Sequence, residues 1–395
     1  MTRRRVRLAI VVSHPIQYFV PLYQRLASRD DVSVKVFFTW HAGQAPVEDR
    51  GFGLPVAWDI PLTQGYESEL VPNRSREPGT HHFFGLRNPD LVRRVTAWRP
   101  DVVHITGWAW LSHLKALRAF AKRGIPTLFR GDSHLLDARR RGPRWWLKQC
   151  VLKRVFSWPA GFLVVGSANR AYYEAFGVAT DRLFDCPHSI DVGRFAEPHL
   201  ALEEKAAAWR RQLGIPEQSC VLLYAGKFEP KKRPLDLMSA VCDVRDERVV
   251  LVMVGSGELE KEVSAVAAKN PSRFFILPFQ NQTRMPLVYR LGDLFVLPSA
   301  YGETWGLAVN EAMACGRAVL VSDRVGCAQD IVDVARGRIF ALGDRASLAH
   351  SLIEMTRDRG ALRGMGRAAA EYALSFDIVR TEDALMDAVC RVCPA

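Results

Sequence analysis

Tyr301 to Asp323 reads YGETWGLAVNEAMACGRAVLVSD, and the order of residue types in it decides the fold class. The apolar run just before it, DLFVLPS ending at Ser299, has the length and composition of a buried strand. A loop holding Glu303 follows, then a short helix predicted to start near Gly306 and to carry Glu311. Cys315 and Gly316 close that helix, because glycine takes the left-handed C-cap conformation without a steric cost. A second apolar run, Arg317 to Ser322, completes a strand–turn–helix–strand unit, the piece from which parallel sheets are wound.

Two acids with seven residues between them mean little alone; their setting gives them a use. Glu303 precedes the helix and Glu311 lies about two turns along it, with the amides of Trp305, Gly306 and Leu307 between them. A helix N-terminus has unpaired N–H groups and roughly half a positive charge, so it attracts phosphate. A diphosphate on those amides could offer hydroxyls to a carboxylate on either side. A nucleotide sugar has that layout: ribose, diphosphate, then hexose.

Composition sets the frame. A chain of 395 residues suits two domains. No apolar run approaches the ~18 residues needed to span a bilayer. The start, MTRRRVRLAIVVSHP, has cations before apolar residues, but its apolar part is short and no small-residue cleavage site follows. A first strand is expected there rather than a secretion leader. Eight cysteines at irregular spacing make no disulfide framework in a chain this size, and Cys390 and Cys393 form a single CxxC with no second pair. A cytoplasmic protein is expected. Residues 1–200 hold 29 Lys and Arg against 17 Asp and Glu, while residues 201–395 hold 25 of each. The whole excess of positive charge lies in the first half, which favours an anionic partner there, such as a membrane surface. No recognised nucleic-acid motif accompanies it, so no nucleic-acid partner is expected.

Alternating elements run along the chain. Leu8–Val12 and Val32–Phe38 read as strands with a helix over Pro21–Ser28 between them. Residues 40–90 are rich in Gly, Pro and aromatics and read as an irregular excursion over the sheet's rim. Regular alternation resumes with Asp101–Thr106, a helix over Leu111–Lys122, Pro126–Arg130 and Phe162–Val165. A polar, alanine-rich stretch over 192–216 marks the domain boundary. Beyond it, strands are predicted over Val221–Ala225, Val249–Val254, Phe274–Leu277, Leu294–Leu297, Ala318–Val321 and Arg338–Phe340. The fold class is α/β, with helices covering parallel sheets.

Basic residues follow the first strand of the second half: Gly226 and Lys227, then Lys231, Lys232 and Arg233 in one loop. Open parallel sheets bind ligands outside the carboxyl ends of their strands, so Lys227 and Lys232 are placed to meet phosphates. A basic loop alone is most often solvated, but here the helix end at Trp305 is predicted at the same edge. Gly255 and Gly257 (VGSGELE) form another strand-to-helix turn, which tight packing explains as well as a ligand does.

GKFEPKKRP, VGSGELE, FQNQ and GETWGLAVNEAMACG, in that order, resemble family 4 of the retaining glycosyltransferases, which have the GT-B fold. WDIPLTQGY, RGDSH and the SHPIQY start are similar to a bacterial cell-surface glycan branch of it. The resemblance covers essentially the whole chain. It implies two Rossmann-like domains facing each other across a cleft: residues 1–198 for the acceptor, 199–375 for the nucleotide sugar, and a helix over 376–395 returning to the first. It implies that Lys227 and Lys232 neutralise the donor diphosphate and that Glu311 holds the ribose. Glu303 would hold the transferred sugar, with the amides of Trp305, Gly306 and Leu307 on the distal phosphate. Phe279, Gln280 and Asn281 would border the base. In the first domain a residue after the Pro126–Arg130 strand is expected to touch the sugar, and Asp132 is preferred there to His134. The glycine-rich loop that many members have after strand one is replaced by Ser13-His14-Pro15-Ile16-Gln17-Tyr18, so His14 and Gln17 are the acceptor-side candidates.

The resemblance implies retention, by front-face attack in which a donor phosphate oxygen takes the acceptor proton. Glu303 is then a hydroxyl partner rather than a covalent nucleophile. No D-x-D pair is present and two lysines face the leaving group, so the activity is expected to need no metal and no cofactor beyond a UDP- or GDP-linked donor. The acceptor expected is a glycan or a lipid-linked saccharide. Two alternatives stand beside this reading: a nucleotide-sugar epimerase of the same fold, and a non-catalytic module that binds glycan or lipid. Arg139 to Arg154, RRRGPRWWLKQCVLKR, mixes cations with Trp145 and Trp146 and is the candidate for contact with anionic lipid. Its cations spread around a helix axis rather than forming one polar face. Trp108 and Trp110 are read as core or cleft wall.

Overall fold

The computed structural model describes residues 5–41, 43, 47–49, 51–137 and 142–393. In chain order its strands are β1 (Val6–Val12), β2 (Val32–Phe38), β3 (Val47–Asp49), β4 (Leu54–Val56), β5 (Glu67–Leu70), β6 (Val102–Thr106), β7 (Thr127–Arg130), β8 (Gly161–Val164) and β9 (Leu183–Asp185). They continue with β10 (Cys220–Ala225), β11 (Val249–Val254), β12 (Phe274–Leu277), β13 (Leu294–Leu297), β14 (Ala318–Ser322) and β15 (Gly337–Phe340). One parallel sheet has the order β5-β2-β1-β6-β7-β8-β9 and another the order β12-β11-β10-β13-β14-β15. β3 and β4 form a separate antiparallel hairpin.

By contact the chain divides into two units. The first holds residues 1–46, 60–188 and 378–395, and the second holds Val47–Asp59 and Ser189–Asp377. Three stretches therefore differ from the sequence reading, the shortest being residues 376–377, which stay with the second unit. Residues 47–59, expected over the first sheet's rim, belong to the second unit. Residues 189–198 do too, because the Ile190 and Val192 amides bond Phe376 O and the Asp377 carboxylate. The edge strands β5 and β9 were not foreseen. Both are short, and β5 (ESEL) is largely polar, as an edge strand tolerates.

Burial on both faces explains the near-continuous apolar runs of the central strands. In the first sheet Ala9, Val11, Phe37 and Ile105 pack on one side, and Leu8, Ile10, Val34 and Val36 on the other. The latter face is completed by the helix Ile378–Val392, which adds Leu385, Ala388 and Val389. Arg25 and Arg29 hold its Glu382, a buried carboxylate, at 2.5 and 3.1 Å. In the second sheet Leu222, Tyr224, Leu251, Met253 and Val296 form the core against its helices. Burying each such side chain contributes about 1.5–3 kcal/mol.

Connectivity positions the second unit's loops. From β10 the chain winds outward through β11 and β12, then returns to β13 on the other side and continues to β15. The order reverses between β10 and β13, and such a switch point is where open α/β sheets bind ligands. The loops leaving its two strands carry residues 226–233 and 299–307.

Candidate functional site

The site builds from those two loops of the second unit. Ala300 N–H donates to Lys231 O at 2.7 Å, stitching one to the other. Lys232 Nζ forms an ion pair with Glu303 Oε2, and Ser299 Oγ donates to the same oxygen at 2.9 Å. The lysine expected on phosphate and the acid expected on sugar are thus direct partners. Tyr224, at the end of β10, donates its hydroxyl to Lys227 O at 2.6 Å and fixes the start of the basic loop.

The turn before the helix Leu307–Ala314 is held by a glycine contact. Gly326 N–H donates to Glu303 O, and Cys327 N–H to Trp305 O, both at 2.9 Å. A Cβ on Gly326 would lie 1.9 Å from Thr304 O, so only glycine permits this approach. Gly306 takes φ +97° at the helix start and, as the N-cap residue, has no side chain to cap that end. Trp305 is buried and gives its Nε1–H to Asn310 Oδ1 at 2.9 Å, leaving backbone rather than ring for a ligand.

Glu311 points to a different partner from Glu303. Tyr289, wholly buried, donates its hydroxyl to Glu311 Oε2 at 2.5 Å. Burial raises the Glu311 carboxyl to about 7, against the smaller opposing effects of the Tyr289 hydrogen bond and the Arg194 charge. Phe279 packs edge-on to Phe52 at 4.7 Å. Asn281 donates to Ala57 O at 2.7 Å, and Gln280 turns to its own chain at Pro278 O. Gly226 donates its N–H to Val254 O, and its carbonyl lies 1.9 Å from where a Cβ on Gly255 would stand. The GSG turn is accounted for by packing.

The remaining candidates belong to the first unit. Asp132 Oδ2 lies 3.2 Å from His188 Nε2, and its Oδ1 lies 3.7 Å from the buried Arg130 Nε. Burial alone would raise the Asp132 carboxyl, but His188 and Arg130 outweigh it and bring it down to about 2. Tyr18 and Phe19 flank the His188 ring at 5.8 and 5.9 Å, which gives the end of the SHPIQYF stretch a packing role. The loop itself is pinned by Asn169, whose Nδ2 donates to Gly131 O and Ser133 O, and by Tyr173. His134 accepts from Leu136 N–H within that loop. His14 bonds Ser13 Oγ at 2.8 Å and stacks on His41 at 5.1 Å. Burial and then His41 lower it to about 4, so it is a neutral imidazole at pH 7. Gln17 lies partly buried in the turn between β1 and the next helix.

Tyr289, His188, Asn169 and Asp49, which pairs with Lys227, were not foreseen. Asn169 and Tyr173, four apart on the buried face of one helix, had a usable signal, since a buried polar residue there must bond something. All eight cysteines are free, and no group of His, Cys, Asp or Glu among the described residues could hold a metal ion. No helix among them is long and apolar enough to cross a membrane.

Comparison with known proteins adds lineage to this geometry. The family described as "Glycosyl transferases group 1" matches residues 205–372. The D-inositol 3-phosphate glycosyltransferase of Streptomyces bingchenggensis is 31% identical over 91% of this chain and 80% of its own length. That of Mycobacteroides abscessus is 31% identical over 78% and 73%. The chain belongs to the group 1 glycosyltransferases, family 4 of the GT-B fold. Against the Nocardia farcinica relative, 30% identical, this group 1 glycosyltransferase spans about half of the relative's length, 49%, and 55% of its own. Anabaena Alr3699/HepE, solved in complex with UDP and glucose, matches its fold with a TM-score of 0.71 at 16% identity, covering 97% and 99% of the two chains. WaaG, a glycosyltransferase involved in lipopolysaccharide biosynthesis, matches at 0.68 and 16%, covering 98% and 100%.

Proposed function

We propose that this chain is a retaining, metal-independent glycosyltransferase that moves a sugar from a UDP- or GDP-linked donor to a hydroxyl of a glycan or glycolipid. One observation supports the reading most: Lys227, Lys232, Glu303 and the helix N-terminus at Gly306 share the carboxyl edge of one sheet at its switch point. A diphosphate there lies against two ammonium groups and a helix N-terminus, with Glu303 beside Lys232 for the hexose and Glu311 for the ribose. Names given to relatives and to structural neighbours, a D-inositol 3-phosphate glycosyltransferase and a protein bound to UDP and glucose, support sugar transfer.

Transfer breaks the bond between the anomeric carbon and the phosphate oxygen, and the electron pair stays on the diphosphate. The acceptor oxygen bonds to the same face of the carbon, and its proton passes to a donor phosphate oxygen. Fixed positive charge where the leaving group gains electrons is commonly the largest catalytic contribution. The ammonium pair and helix end supply it here without a divalent ion. Asp132, held ionised by Arg130 and His188, is too weak a base at neutral pH to take a proton. It acts as a fixed acceptor of a hydroxyl hydrogen bond, and His14, Gln17 and His134 are the other acceptor candidates.

The test is a screen of UDP- and GDP-sugars for thermal stabilisation, followed by transfer assays on the sugar that binds. Lys232→Ala and Glu303→Ala should each abolish transfer with the fold intact, and chelators should leave the wild-type rate unchanged. Full activity in either variant, or dependence on magnesium or manganese, overturns the reading. Turnover of donor without acceptor points instead to an epimerase.

The helix Pro143–Val155 favours a second element of this reading, attachment to an anionic membrane surface at the cytoplasmic face. Its outer side exposes Trp146 (66%), Leu147 (59%) and Val151 (45%), with Lys153 and Arg154 beside them. Arg139 to Arg141 of the same basic stretch lie outside the described residues. Apolar anchors flanked by cations suit an anionic interface, each cation near it adding about 1 kcal/mol. Trp146→Glu with Leu147→Glu should abolish co-sedimentation with phosphatidylglycerol vesicles. Unchanged sedimentation would remove the membrane from the reading and leave the transferase intact.

A further inference from the structure

The hairpin of residues 47–49 and 51–59 brings a carboxylate onto one of the two lysines proposed for the donor. Asp49 Oδ1 lies 2.7 Å from Lys227 Nζ and accepts the N–H groups of Gly51 at 2.8 Å and Phe52 at 3.2 Å. The ring of Phe52 lies 4.9 Å from the same ammonium. Burial alone would raise the Asp49 carboxyl, but Lys227 and the two amides outweigh it and hold it below its usual range. It is a full negative charge at neutral pH.

Further contacts seat the hairpin on the second unit, one of them at Asn281, a residue read as bordering the base. Ser256 Oγ donates to Phe52 O at 3.0 Å, Asn281 Nδ2 to Ala57 O at 2.7 Å, and Thr283 N–H to Asp59 Oδ1 at 3.1 Å. Two glycines make the approach close. A Cβ on Gly51 would lie 2.5 Å from the Lys227 stem, and one on Gly257 would lie 2.9 Å from Gly51 O.

We propose that Asp49 is an internal stand-in for a donor phosphate: it pairs with Lys227 where a phosphate oxygen would, and the nucleotide's diphosphate must displace it. The inference rests on the reading that Lys227 meets the diphosphate. A carboxylate and a phosphate have the same charge sign and the same hydrogen-bond role toward an ammonium, and both on Lys227 would repel each other. Asp49 is therefore the residue that sets donor affinity. It holds Lys227 ordered before binding and weakens binding by competing for it.

Asp49→Asn is the informative variant, because its Oδ1 still accepts from Gly51 and Phe52 and only the charge is removed. Isothermal titration with UDP and with GDP is expected to show Asp49→Asn binding the preferred nucleotide about tenfold more tightly than wild type, the size of one like-charge contact removed. Lys227→Ala should bind more weakly, and the double variant should match Lys227→Ala alone, since Asp49 then has nothing to occupy. In the wild type, nucleotide should speed hydrogen exchange at the Gly51 and Phe52 amides. Unchanged or weaker binding by Asp49→Asn, with Lys227→Ala impaired, overturns the competition and leaves the donor reading standing. Lys227→Ala binding as wild type overturns both. Binding of a nucleotide by Asp49→Asn alone supports the proposal, and binding by neither protein overturns it.

Discussion

Glu311 carries the clearest pH signature at the scale of single residues. In the role proposed for it, accepting from the ribose hydroxyls, Glu311 works best ionised, since protonation turns one of its oxygens into a donor. Burial holds its carboxyl at about 7, so at pH 6 about one molecule in ten has it ionised. Donor KM should therefore rise about tenfold per pH unit below 7 and level off above it, and Glu311→Gln should flatten the profile at a high KM. Linkage to folding runs the other way. A carboxyl raised from 4.5 to about 7 favours folding most below 4.5, and that contribution is lost as pH rises through 7. Gly326 makes a steric prediction instead. Gly326→Ala puts a methyl against Thr304 O and must push the 303–305 turn away. By displacing the turn that carries Glu303, it should reduce transfer at least tenfold, measured as kcat/KM beside an unchanged circular dichroism spectrum.

Elements are held by long polar side chains as much as by apolar faces. Arg290 is wholly buried and donates to Phe195 O and Pro286 O through Nη1 and to Ala196 O through Nη2. It ties the short helix Val192–Ala196 to the helix Met285–Tyr289 that presents Tyr289 to Glu311. Arg290→Met should cost about 2–4 kcal/mol in urea unfolding, because three carbonyls lose their donor in a buried place. The helix carrying Glu311 was legible in the sequence from Gly306 and Gly316 at its ends, and its observed span, Leu307–Ala314, sits between them. The hairpin was not. GFGLPVAWD has neither strand nor helix period, and what it packs against lies far away in the chain.

Across the whole molecule the chain passes between its two units at residues 46–47, 59–60, 188–189 and 377–378, so neither unit is one continuous piece. The last helix fills the first unit's core with Leu385, Ala388 and Val389 and buries Glu382 against two arginines. A chain ending at residue 377 should lose the first unit's stability while keeping every residue proposed for the donor, seen as insolubility or a lowered melting transition. Apolar runs with the right period, punctuated by glycine and proline, determined by themselves the two parallel sheets. That Lys227, Lys232, Glu303 and the start of the helix carrying Glu311 lie at strand ends was also legible, because strand ends and a helix N-terminus are local features that a short stretch encodes. Only the tertiary structure decided which charges meet. Asp49 reaches Lys227 across 178 residues and Arg25 reaches Glu382 across 357. Such pairs follow from how the sheets and loops pack, and no neighbouring residue in the chain records them.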